Sequence, residues 1–146
     1  HQVEKIFLGS KKIGYCIGCY YCQKHKDQCV IQDDMHEVLD KMQAADVIVL
    51  ASPVYFYSVN AQIKAVIDRC VCRWERITHK EFYYILTAAE DAPHTMDTSL
   101  ACFRGFADCL EGSKERGVIY GKGAYEKGSV VSLPVYEEAY EMGLHV

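Results

Sequence analysis

Cys16, Cys19 and Cys22 recur at every third position, and Cys29 follows after a gap of six residues. Four of the eight cysteines therefore fall within fourteen residues. Thiolates this close in sequence can converge on one metal centre. The CxxCxxC spacing resembles the ligand runs of iron–sulfur proteins more than the paired CxxC knuckles of structural zinc sites. The chemistry it suggests is electron transfer. The loose gap before Cys29 also allows unligated thiols or zinc. Cys70, Cys72, Cys102 and Cys109 read as core or surface thiols, because free cysteine packs as a small hydrophobe.

The elements that must position these residues alternate. Val3–Leu8 is a short β-rich run, and the cysteine loop follows it, with turns at Gly14 and Gly18. Asp34 and Glu37 have capping-box spacing at the start of a helix. Met35, Val38, Leu39, Met42 and Ala45 fall on one face of that helix. Asp46–Ala51 predicts a strand buried on both faces. Ser52-Pro53 ends it, and Val54–Ser58 reads as a loop. A second helix runs from Val59 to Cys70, with Val59, Ile63, Val66, Ile67 and Cys70 inward. Glu81–Thr87 is the next strand, and Ala88 to Thr95, Pro93 included, is a loop. Met96 to Leu110 is a helix with Leu100, Phe103, Phe106 and Leu110 on one side. Gly117–Tyr120 is the last strand. Pro134 opens a final helix that Gly143 closes.

Alternating strands and helices imply a parallel sheet covered on both faces, with ligands bound beyond the carboxyl ends of its strands. The cysteine loop, Ser52–Ser58 and Thr87–Pro93 are all expected at those ends, on one shared rim. The chain has 146 residues, half of them hydrophobic and 25% charged, enough for one domain with one core. A net charge of −4 without a basic block disfavours nucleic acid. No apolar run approaches a membrane span. Without a charged-then-apolar leader, the expected compartment for these reduced thiols is the cytoplasm.

Several of these motifs, in this order, resemble one family. They are Cys16-Ile-Gly-Cys19-Tyr-Tyr-Cys22, Cys29, Asp33-Asp34-Met35, Ala45-Asp46, Ser52-Pro53-Val54-Tyr55-Phe56, Lys64 and Asp68-Arg69. The chain is similar to the flavodoxin-fold NADPH-dependent FMN reductases and, among them, to the iron–sulfur flavoproteins. The tail from Gly117 to Gly128, and then Glu138 to Gly143, also resembles this group.

The resemblance implies a flavodoxin-like three-layer α/β sandwich that binds FMN at the rim. Pro53, Val54, Tyr55, Phe56, Tyr57 and Ser58 match the loop that wraps the flavin ring. Thr87, Ala88 and Ala89, with Glu90, form the other candidate wall. Cys16, Cys19, Cys22 and Cys29 would carry a 4Fe–4S cluster. Electrons would come from NAD(P)H or a ferredoxin-type donor, in a homodimer or homotetramer. No side chain is singled out as catalytic, since the cofactor carries the redox chemistry.

One departure stands out. The family begins with a strand and a Ser/Gly/Asn/Thr-rich loop that holds the FMN phosphate at a helix N-terminus. Here His1-Gln2-Val3 reads as the start of the family's second strand. The expectation is one domain over residues 1–146, lacking its usual first strand and helix, with a sheet missing an interior strand.

Blander readings stand beside these. Tyr55, Phe56 and Tyr57 could be core or interface aromatics. Asp68-Arg69 reads as an ion pair or subunit contact, His94 as a rim residue able to touch flavin or substrate, and Gly121-Lys-Gly123 as a turn. The alternative function is a non-catalytic metal-binding or redox-sensing module on a degenerate flavodoxin fold, and a zinc-stabilised interaction domain is a third.

Overall fold

A computed structural model describes residues 1–92 and 94–146 of the chain. Pro93, part of the loop expected after the predicted strand Glu81–Thr87, lies outside the described residues. Strands β1 (Val47–Tyr55), β3 (Glu81–Thr87) and β4 (Lys114–Gly121) are parallel neighbours. A two-residue strand, β2 (Ser58–Val59), turns back antiparallel on the end of β1, giving the order β2-β1-β3-β4.

Helices α2 (Met35–Ala44), α3 (Ala61–Arg69) and α4 (Asp97–Asp108) send their buried residues into one cluster with the first sheet face. That face presents Ile48 and Leu50 from β1 and Phe82, Tyr84 and Leu86 from β3. The Tyr84 ring lies 5.5 Å from Phe103, and Phe82 meets Phe106 edge-on at 6.2 Å. Both are favourable aromatic geometries.

The expected apolar faces of all three helices are inward. Helix α2 buries Met35, Val38, Leu39 and Met42, and α4 with its following turn buries Leu100, Phe103, Phe106 and Leu110. The C-terminal carbonyls of α2 are met by Lys80, a buried side chain whose Nζ donates to Gln43 O at 2.8 Å and Ala45 O at 2.6 Å. Those carbonyls would otherwise lack partners.

The structure corrects several expectations. Val3–Leu8 is not a strand: Val3 and Phe7 are exposed, and only a 3₁₀ turn forms at Leu8–Ser10. A strand needs a neighbour to pair its backbone, and no described strand lies beside this segment. β1 is not buried on both faces either. Val49 is 52% exposed and Ala51 is exposed. Helix α5 (Pro134–Leu144) covers the second face only over β4, where Met142 lies against Gly117, close to Tyr83. Among the described residues no strand pairs with the outer edge of β1 before Val54. Pro53 therefore does not end β1, because an edge strand tolerates a residue without an N–H. Val59 belongs to β2, and Asp34 makes no side-chain cap on α2. Glu37 instead pairs with Lys11 and Lys41.

Helix α3 begins at Asn60, whose side chain accepts from Ile63 N at 3.0 Å. The Asn60 N–H in turn donates to Ser52 Oγ at 3.0 Å. The cap thus joins helix and strand directly beside the aromatic turn. Asn60→Ala is expected to lower the free energy of unfolding by about 1 kcal/mol, read by urea denaturation.

Candidate functional site

The four clustered cysteines sit on a loop between Gly14 and Ile31. A single turn of helix, α1 (Tyr21–Lys24), interrupts it and carries Cys22. Left-handed backbone at Gly18 and Tyr20 folds the loop back on itself. Arg73 Nε donates to Asp27 O at 3.2 Å and ties the return limb to the body.

All four cysteines line one cavity of about 390 Å³, together with Arg69 and Cys72. Cys16 and Cys19 are exposed, whereas Cys22 and Cys29 are half-buried. The thiols share this cavity without closing on one point. Among the described residues, no three His, Cys, Asp or Glu side chains are grouped to hold a metal ion. Cys72, read from sequence as a packed thiol, is buried as expected but lines the same cavity. Burial raises its pKa, and the neighbouring Cys22 and Cys29 raise it further. Cys70 faces the core, where burial pushes its thiol up to about 12.

At the neck of the loop lies the ion pair of Arg69 and Asp33. The Arg69 side chain is 2% exposed and that of Asp33 is 11% exposed. Arg69 Nη1 donates to Asp33 Oδ2 and to Gly14 O, both at 2.8 Å. Nη2 donates to Asp33 Oδ1 at 3.1 Å and to Ile31 O at 3.2 Å. Asp33 also accepts from the backbone N–H groups of Gly14 and Met35.

Burial alone would raise the Asp33 pKa. The hydrogen bonds from Arg69, Gly14 and Met35 outweigh it and hold the carboxyl below its ordinary 3.8. The pairing of Arg69 with Asp33, rather than with its sequence neighbour Asp68, was not legible in the sequence. Asp68 instead pairs with Lys64 one helical turn away.

The cavity suits an anionic, sulfur-ligated group. Its size exceeds that of a single ion, since a water occupies only about 30 Å³. The Arg69 Nε is buried and has no hydrogen-bond partner among the described residues. An N–H donor left this way favours an acceptor in the cavity.

The second candidate region is the turn after β1. Tyr55 and Ser58 pair across it, and Phe56 and Tyr57 between them both adopt positive φ, at 50° and 59°. That is a type I′ hairpin, a turn that normally takes Asn-Gly. Two aromatic residues there store strain on the order of 1–2 kcal/mol each. Phe56 is 100% exposed at the tip, and Tyr55 and Tyr57 are more than half exposed. Pro53, Val54 and Ser58 are partly buried at its base.

The loop after β3 is laced to this turn and to the exit of β4. The Glu90 carboxylate beside the Tyr57 hydroxyl raises its pKa, and Glu90 accepts from Thr95 at 2.9 Å. Ala88 N donates to Gly121 O, and Ala88 O accepts from Ala124 N. Both backbone groups of Ala88 are thus committed, and its side chain is buried. Thr87 is partly buried and Ala89 is exposed. His94 pairs with Asp97 at 2.8 Å on the surface. Exposed aromatics beside partly open backbone suit a flat ring with polar edges.

The cysteine loop meets α3 at both ends, since Tyr15 lines a cavity with Ala61 and Gln62 at its start. The cysteine cavity is walled by Asp68, Arg69, Val71 and Cys72, at the C-terminal end of α3. The aromatic turn precedes its N-terminal end. The nine residues of α3 run about 13 Å from one end to the other.

Asp33→Ala strips a buried guanidinium of its carboxylate and is expected to lower stability by about 3–5 kcal/mol at pH 7. Because the folded pKa of Asp33 is depressed, its contribution is full above about pH 3.8. It is lost as the pH falls through the lower folded value. Urea unfolding of wild type and variant should therefore converge on acidification below that point.

Comparison with known proteins agrees with this architecture. Over 82 residues the chain is 45% identical to an iron–sulfur flavoprotein of Archaeoglobus fulgidus, covering 56% of this chain and 37% of that one. It is 48% identical over 68 residues to an iron–sulfur flavoprotein of Methanocaldococcus jannaschii, covering 47% of this chain and 35% of its relative. The matched stretches thus span little more than a third of either relative. The fold matches an FMN-dependent NADH-azoreductase of Bacillus anthracis, solved in complex with FMN. The TM-score is 0.71 at 14% identity, over 96% of this chain and 79% of that one. That likeness places the fold as flavodoxin-like. No helix among the described residues is long and apolar enough to cross a membrane. Residues 1–107 match the NADPH-dependent FMN reductase family, and the chain belongs to that family.

Proposed function

We propose that this protein is an FMN-dependent oxidoreductase that passes electrons from a reduced donor, NAD(P)H or a ferredoxin-type carrier, to an acceptor. The observation that carries the reading is the Tyr55–Ser58 turn. Two aromatic residues are held there in a left-handed conformation that favours glycine, with their rings turned to solvent. Strain of this kind persists only where the surroundings impose it, and it concentrates at ligand sites. Family membership supplies the ligand class.

When bound, FMN supplies one- and two-electron redox chemistry. Tyr55, Phe56 and Tyr57 offer ring faces for stacking, while Pro53, Val54 and Ser58 form the base of that wall. Thr87 and Ala89, at the end of β3 and in the loop after it, form the second wall in this reading, with Glu90 beside the Tyr57 hydroxyl. Cys16, Cys19, Cys22 and Cys29 hold a 4Fe–4S cluster in this reading. Support comes from their common cavity, the unpartnered Arg69 donor and the names of the similar archaeal proteins. A cytoplasmic homodimer or homotetramer, without nucleic-acid or membrane partners, completes the reading.

A non-catalytic metal-binding or redox-sensing module is the second reading. It is favoured by the spread of the cysteines, which do not group around one ion among the described residues.

The absorption spectrum of protein purified without oxygen separates the two. Flavin bands over a broad shoulder that dithionite bleaches are expected. A colourless sample, or stoichiometric zinc without iron, would favour the second reading. Tyr55→Ala should weaken FMN binding at least tenfold by fluorescence titration, and an unchanged affinity would sink the placement of the ring. Replacing Phe56-Tyr57 with Asn-Gly should relieve the turn and raise stability by about 1–3 kcal/mol while flavin affinity falls. Thermal melts with and without FMN read both effects.

A further inference from the structure

We propose that Arg69 is the positioning residue of the cysteine loop. It ties the two ends of the loop together and presents its remaining N–H to an anionic, thiolate-bound group in the cavity. This rests on the reading that the clustered cysteines hold such a group.

The donor count carries the argument. A guanidinium has five N–H groups in a rigid fork. Arg69 uses four of them, two on Asp33 and one each on the carbonyls of Gly14 and Ile31. Those carbonyls stand two residues outside the first and last of the four clustered cysteines. One planar group therefore closes the neck of the loop. The fifth donor, on Nε, is buried and has no hydrogen-bond partner among the described residues. Arg69 is 1% exposed, yet it lines the cavity with the four cysteines.

An unmet buried donor is unfavourable, so its persistence here points to an acceptor that belongs in the cavity. The Cys29 sulfur lies within interaction range of the same guanidinium. Asp33 cannot take the role of that acceptor. Its oxygens already serve Arg69 and the amides of Gly14 and Met35. Lysine cannot replace the fork, because an ammonium is a point charge with three donors and no planar geometry. A buried ion pair also gives little net stability compared with apolar packing, so stability alone does not account for it.

The test uses the full chain with Arg69→Gln and Arg69→Lys, handled without oxygen. Circular dichroism and thermal melts establish folding. Cobalt(II) titration follows the thiolate charge-transfer bands, and iron and sulfide reconstitution is followed by a potentiometric titration of the bound centre. Folded Arg69→Gln should bind cobalt at least tenfold more weakly and lower the midpoint potential, because a cation beside an anionic centre is gone. Arg69→Lys should keep most of the potential without recovering the affinity. Cobalt affinity and potential equal to wild type in a folded Arg69→Gln would overturn the proposal. If that variant does not fold, wild-type affinity in Arg69→Lys would do the same.

Should wild type take up neither cobalt nor iron, the metal reading fails on its own. The neck is then read by trypsin cleavage after Lys24 and Lys26. Cleavage at least tenfold faster in the variants supports the clamp, and equal rates overturn it.

Discussion

A buried guanidinium must find a counter-charge and partners for its donors, and that requirement organises this protein around Arg69. The residue ends α3, so its position is set by the packing of Ile63 and Val66 into the core. From there it reaches back to Gly14, Ile31 and Asp33, all far from it in sequence. Asp33 in turn holds the Met35 amide at the start of α2. One ion pair thus fixes both ends of the cysteine loop and the first turn of the helix that follows. The loop between those ends has few buried residues of its own, so its shape depends on this neck.

The sheet distributes the remaining work unevenly. Its first face is closed by α2, α3 and α4 over a continuous aromatic and aliphatic core. Its second face is covered by α5 over β4 and left open at β1, where Val49 and Ala51 meet solvent. An edge with unpaired backbone and an apolar face is a place where strands add. The aromatic turn grows from this same strand. Its base is held by the Ser52–Asn60 bond. Three exposed aromatics and two left-handed residues therefore lie together at the end of β1.

The placement of the cysteine cavity follows from α3 rather than from the sheet. Its walls include Asp68, Arg69, Val71 and Cys72, which emerge from the helix at the end opposite the aromatic turn. The two redox-type features are thus spaced by a rigid element. Cys72 enters the cavity only because the helix passes into a 3₁₀ turn at Cys70–Cys72. That turn sends Cys70 into the core and Cys72 towards the loop.

Much of this was legible in the sequence, because helical and strand periodicities are local. The faces of α2 and α4 and the strand at Glu81–Thr87 follow from side-chain spacing alone, as does the start of the final helix at Pro134. The cysteine spacing and the Ser-Pro-Val-Tyr motif likewise marked the candidate ligands and the family without any coordinates. Other features depended on partners distant in the chain. Val3–Leu8 has strand-like residues but no neighbour to pair with among the described residues, where it forms only the turn at its end. Asp33 reads as a helix start, but its chief partner lies beyond a strand and another helix. Whether a thiol is inert or lines a cavity was decided by which side of a turn it leaves, as Cys70 and Cys72 show. The sequence by itself determined the elements, the family and the types of group available. Tertiary structure alone decided which of them meet, because burial, pairing and the reach of one arginine depend on packing between segments that sequence spacing does not relate.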